Sequence, residues 1–154
     1  KVLLKMTPFI SAREDQLIPS IIERSQYMVS KKWEQRINGY SVHPGGIISI
    51  SFSIDTQEFV INDATVDIPN TPIPINISKE DAKQRIISEY NKSEYYNGRI
   101  RGLSQEPSIA YNRISTSKDP LQYRLYWSMM FFQVSFSIDV ETLDIYQHLN
   151  NMVY

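Results

Sequence analysis

The sequence predicts an α+β fold of two tandem units, each a helix packed on a small antiparallel β-sheet. Three observations point there. Ser51-Phe52-Ser53-Ile54-Asp55 recurs as Ser135-Phe136-Ser137-Ile138-Asp139, an offset of 84 (139 − 55) in a chain of 154 residues. Self-similarity at a fixed spacing marks a duplicated unit. Pro69, Pro72 and Pro74 fall between the copies and favour an extended connector. The segment after Ser78 has helical apolar spacing, whereas both pentapeptides lie in segments that alternate with period two. The first unit is therefore expected over 1–68, incomplete or divergent at its N-terminus. The connector covers 69–77, and the second unit covers 78–154.

Each element follows from local chemistry. Residues 1–10 read as a short strand or a poorly ordered lead. Ser11-Ala12-Arg13-Glu14 has the spacing of a capping box. It predicts a helix through Leu17, Ile18, Ile21 and Ile22, kinked at Pro19. Tyr27 to Arg36 reads as a strand with Tyr27, Val29, Lys31, Trp33 and Gln35 on one face. Asn38-Gly39 is a turn, since both residues tolerate positive φ, and His43-Pro44-Gly45-Gly46 is irregular. Ile47 to Thr56 alternates Ile48, Ile50, Phe52 and Ile54 against Ser49, Ser51, Ser53 and Asp55, the pattern of a half-buried strand. After a turn at 55–58, Phe59 to Ile68 returns as another strand.

The second unit opens with the clearest local signal. Ser78 is a good N-cap, Asp81 takes the capping-box position, and Ile77 and Ala82 occupy the hydrophobic-staple positions. Glu80 and Asp81 suit the positive end of the helix dipole. Ala82, Ile86, Ile87 and Tyr90 form one apolar stripe, predicting a helix over 79–92. Residues 93–107 form a polar loop and Ile109 to Ser115 a strand, followed by a turn at 117–120. Tyr123 to Asp139 reads as one long strand with a bulge near Met129-Met130. A turn at 141–144 and a last strand from Ile145 to Tyr154 complete the chain.

Composition narrows the function. Hydrophobic content of 42% and charged content of 21% fit a globular fold. The net charge of −1 leaves no electrostatic footprint for nucleic acid. No apolar run is long enough to span a bilayer. The absence of cysteine removes disulfides, thiolate metal sites and cysteine nucleophiles. The start at Lys1 reads as a mature or excised segment, so any membrane anchor is expected outside this chain.

A reaction centre needs convergent reactive groups. The chain has two histidines, His43 and His148, and no HExxH, GxSxG or phosphate-binding glycine loop. Plain surface histidines outweigh ligands or bases at both places. Asp55 and Asp139 each end a strand, and accepting turn N–H groups explains them better than paired catalysis. The chain is therefore expected not to be an enzyme and to need no cofactor or metal. The run Tyr123 to Phe132 is the most hydrophobic stretch. It reads first as core, and second as a surface covered by a partner or another subunit.

Several short motifs resemble a known family. Ile77-Ser78-Lys79-Glu80-Asp81-Ala82 resembles the helix opening of PepSY-like domains. The two pentapeptides with their return strands resemble the closing hairpin of those domains, although Gln57 and Leu143 stand near the place of the usual turn glycine. Trp33-Glu34-Gln35-Arg36-Ile37-Asn38-Gly39-Tyr40-Ser41-Val42 is similar to a segment of YcdB/YcdC-type repeats and of related peptidase propeptide modules. The resemblance implies a secreted or cell-envelope bacterial module that binds or restrains another protein, such as a peptidase or cell-wall enzyme. Surface complementarity or strand addition at a sheet edge would serve that role. Trp33, Tyr40, Tyr126, Trp127 and the 93–107 loop are the candidate interface. A small-ligand-binding domain and a structural spacer in a longer protein are the alternative readings.

Overall fold

A computed structural model describes residues 14–96, 106–113, 122–131 and 134–149. The expected lead over 1–10, the start of the capping box at Ser11, the 117–120 turn and most of the 93–107 loop lie outside them. The chain divides into two units, Lys1–Asn70 and Thr71–Tyr154. Nine strands and one α-helix occur among the described residues. This overturns the expected fold class. The protein is predominantly β, not a tandem pair of helix-on-sheet units.

The first unit contains β1 (Leu17–Arg24), β2 (Met28–Ile37), β3 (Tyr40–His43), β4 (Ile47–Ser53) and β5 (Phe59–Asp63). The helix expected through Leu17 to Ile22 is instead the strand β1. Proline is costly inside a helix but tolerated at a strand bulge, and isoleucines favour the pleated surface. The bulge is present. Pro19 opposes Trp33 and Ile22 opposes Lys31, three steps on β1 against two on β2. β2 pairs with β1 and with β4, and its end turns through Asn38 (φ 50°) and Gly39 (φ 83°) into β3. β4 pairs onward with β5, and all these pairings are antiparallel. Leu17, Trp33, Ile48 and Ile50 form the buried cluster of this unit.

The second unit contains α1 (Lys79–Lys92), β6 (Ser108–Asn112), β7 (Arg124–Met130), β8 (Val134–Asp139) and β9 (Ile145–Leu149). The helix over 79–92 is found as expected. Ser78 Oγ accepts from Asp81 N at 3.1 Å and donates to Asp81 Oδ2 at 2.6 Å. The short aspartate thus meets the cap hydroxyl. At the other end Ser93 N and Oγ both donate to Tyr90 O. Ala82, Ile86 and Tyr90 pack on Met129, Phe131, Val134, Phe136 and Ile138. Tyr90 and Phe131 stack with ring centroids 4.0 Å apart.

The long strand expected from Tyr123 to Asp139 is a hairpin. β7 and β8 pair antiparallel, Met130 opposite Ser135, and Phe131 N donates to Val134 O at 2.8 Å. The apolar run from Met129 to Phe132 hides a reversal flanked by the buried Met129, Phe131 and Val134. Phe131 tucks under the helix, and no glycine, proline or asparagine marks the reversal.

The matching pentapeptides are not structurally equivalent. Phe52 opposes Phe59 and Ile138 opposes Ile145, an offset of 86 (138 − 52). Ser53 N donates to Glu58 O, as Asp139 N donates to Asp144 O. Gln57 (φ 56°) and Leu143 (φ 65°) hold the left-handed position of the two turns. Ser51 Oγ meets Ser30 Oγ at 2.9 Å, and Ser137 Oγ meets Ser128 Oγ at 2.8 Å. Ser51 therefore corresponds to Ser137, and Ser53 to Asp139. The sequence match runs two residues out of step. A slip of two keeps every side chain on its own face, so apolar and polar positions still coincide.

Candidate functional site

Of the four residues singled out from the sequence, two lie in each unit. Trp33 lies on β2 and is 2% exposed. Tyr40 begins β3 and is half-buried. Tyr126 and Trp127 are neighbours on β7, so they point to opposite faces of the sheet. Trp127 packs beside the helix cluster, and its Nε1 donates to Ile77 O at 3.3 Å. Tyr126 is buried and meets Tyr146 edge-on at 5.8 Å.

The sheet face carrying Tyr126 is polar. Asp139 is 1% exposed. Its Oδ1 accepts from Glu141 N (2.9 Å) and Thr142 N (3.1 Å), while Oδ2 faces Arg124 Nη1 at 3.3 Å. Both carboxylate oxygens are thus engaged, Oδ1 by the turn and Oδ2 by the neighbouring strand. Burial works against the Arg124 charge, but neighbouring Asp139 outweighs it and raises the guanidinium pKa. Burial first, and then the Asp139 charge, push the Tyr126 phenol well up. Burial and the Asp144 charge raise Tyr146. Both phenols stay protonated and neutral. A cleft of about 200 Å³ opens beside Arg124 and Asp139, and another of about 210 Å³ lies beside Gln35 and His43 in the first unit. Both are smaller than the ~300–1,000 Å³ usual for small-molecule sites. Among the described residues no three His, Asp or Glu side chains cluster to hold a metal. No helix among them is long and apolar enough to cross a membrane.

His148 lies on β9 opposite Ser135. Its Nε2 is buried without a partner among the described residues, and burial holds its pKa below 6.5. The unfolded chain therefore binds the proton more readily. Stability is fully present above pH 6.5 and declines as pH falls through the lower folded value. His148→Gln is expected to flatten this loss. Urea midpoints at pH 7 and about pH 5, compared between parent and variant, check it.

The first unit carries a different kind of feature. β5 ends the strand order of its sheet, and all five of its residues are exposed. Phe59 is 63% exposed, Val60 61% and Ile61 49%. Three consecutive large apolar side chains leave both faces of the strand apolar in water, an arrangement that edge strands usually avoid. The inner side of β5 is firmly held. Five residue pairs join it to β4, and Phe52 and Phe59 meet at 4.9 Å. Beyond β5, Gln35 is buried and clamps the backbone of Val66, donating to its O at 2.8 Å and accepting from its N at 3.0 Å. The edge is thus tied at the turn before it and at the segment after it.

Sequence reading did not single out β5. The signal was present, since Phe59-Val60-Ile61 breaks alternation as Met129 to Phe132 does. In the second unit the break places Met129 and Phe131 beneath a helix. In the first it lies exposed at the end of a sheet. The apolar run is alike in both, and position in the sheet decides its fate.

No protein-family model matches the chain, and no curated protein matches it. Among solved structures it is similar to the Bacillus megaterium YpeB C-terminal domain, at 17% identity and a TM-score of 0.37. The likeness covers 97% of this chain and 64% of that one, so the chain spans under two thirds of its length. A likeness this slight carries no argument about function.

Proposed function

We propose that this chain is a non-catalytic binding module that captures another protein by strand addition at β5. The observation that carries the reading is the exposed apolar edge Phe59-Val60-Ile61, paired along its inner side with β4. An edge strand offers unpaired backbone groups for affinity and alternate side chains for selectivity. A pre-organised edge also lowers the entropic cost of binding. The PepSY-like motifs support a secreted or cell-envelope setting in a bacterium, with a peptidase or cell-wall enzyme as the bound protein. No reaction centre is assigned.

The test is capture from envelope extract by the parent chain beside Ile61→Lys, read by mass spectrometry. Ile61 is half-exposed, so the variant is expected to keep its fold, within about 0.5 kcal/mol of the parent. Its circular dichroism must match before capture is compared. Recovery of one peptidase or wall hydrolase by the parent and not by the variant is the expected result. An identical set from both would remove β5 from the binding surface.

A further inference from the structure

We propose that the segment β5 takes up is extended, apolar at its centre and basic at both ends. This rests on the strand-addition reading and specifies its partner. The phase of the β4–β5 ladder decides which groups are free. Ser53 N donates to Glu58 O, and Ala64 N donates to Ile47 O. Antiparallel pairs alternate between bonded and unbonded, so Glu58, Val60, Asn62 and Ala64 turn their backbone groups towards β4. Phe59, Ile61 and Asp63 turn theirs outward. Phe59 and Ile61 also share the sheet face of Ile50 and Phe52. An added strand would therefore meet backbone partners at every second residue. On that face it would find an apolar floor continuing from the buried cluster of Ile48 and Ile50.

Charge selects the ends. Glu58 precedes the strand and Asp63 closes it. Neither carboxylate has an ion-pair partner among the described residues. The nearest strand with basic side chains is β2, two strands in, where Lys31 lies over the Trp33 ring and Lys32 pairs with Glu23. A second copy of β5 fits poorly. Antiparallel self-pairing centred on Ile61 sets the apolar ring of Phe59 opposite the carboxylate of Asp63 at both ends, a mismatched cross-strand pair. A strand with lysine or arginine at its ends avoids that mismatch and supplies opposite charge to Glu58 and Asp63.

The probe is a synthetic peptide of alternating Val and Thr with a lysine at each end, titrated into the intact chain by fluorescence anisotropy. The same core with glutamate ends, and a lysine version methylated on alternate backbone nitrogens, serve as comparisons. The lysine peptide is expected to bind about tenfold tighter than the glutamate one at low salt, the gap closing at high salt. Glu58→Gln is expected to narrow the gap by about threefold. The methylated peptide is expected not to bind. Equal binding of lysine and glutamate peptides overturns the charge selection and leaves strand addition standing. Binding of all three alike overturns the ladder geometry. Failure of every peptide at both salt concentrations overturns strand addition itself. A concentration-dependent dimer abolished by Ile61→Lys overturns the partner class, because a second copy would then cover the edge.

Discussion

Trp33→Ala is expected to lower the stability of the first unit by about 3–5 kcal/mol. Trp33 is 2% exposed and belongs to the cluster of Leu17, Ile48 and Ile50. It stands between Pro19 on β1 and Ile48 on β4, and Lys31 Nζ lies 5.0 Å from its ring centroid. Removing the indole opens a cavity lined by aliphatic side chains and strand backbone. A sheet paired on both sides cannot collapse to fill such a space, so the cost falls in the upper part of the large-to-small range. Urea denaturation of parent and variant, followed by circular dichroism, measures the loss. An unchanged slope would place the effect on stability alone. The result also bears on function. A Trp33→Ala chain that loses its partner would have lost the sheet beneath the binding edge, whereas Ile61→Lys removes only the edge surface. A loss under 1 kcal/mol together with lost capture would overturn this account and return Trp33 to the interface.

How much was legible follows from where the deciding information lies. The helix from Lys79 to Lys92 was legible because its determinants are local: a serine cap, early acids and an apolar stripe. The Asn38-Gly39 turn was legible for the same reason, since both residues adopt the positive φ that their chemistry allows. Leu17 to Arg24 was misread because Leu17, Ile18, Ile21 and Ile22 satisfy helical spacing as well as strand composition. Pairing with β2, 10 residues long, decided between them, and pairing is not written in a local window. The β7–β8 hairpin was hidden by an apolar run with no glycine, proline or asparagine at its turn. The pentapeptides signalled related hairpins but misaligned them by two residues, because period two makes such a slip invisible to a face-by-face reading. The site suffered most. Aromatic content drew attention to Trp33 and Tyr126, which the sheets bury, while exposure at β5 depends on strand order.

The corrected alignment has an energetic consequence at Asp139. Asp139→Ala is expected to destabilise the second unit by about 2–4 kcal/mol. Ala leaves Glu141 N and Thr142 N without their acceptor and Arg124 without its carboxylate. Arg124 is 42% exposed, so water recovers part of the ion-pair loss, and the stranded turn amides carry the larger share. At the equivalent place in the first unit stands Ser53, whose Oγ accepts from Thr56 N at 3.3 Å. A hydroxyl thus performs the same turn-closing task there with neither charge nor arginine. Asp139→Ser should then recover about half of the alanine loss, because it restores one acceptor to the turn without restoring the pair. Urea midpoints for the parent and both variants, at matched slope, decide the question. Equal losses for Ser and Ala would assign the energy to Arg124 and empty the two-residue realignment of thermodynamic meaning. A serine variant nearer the parent would establish that the two hairpins, matched at an offset of 86, close by one mechanism with interchangeable acceptors.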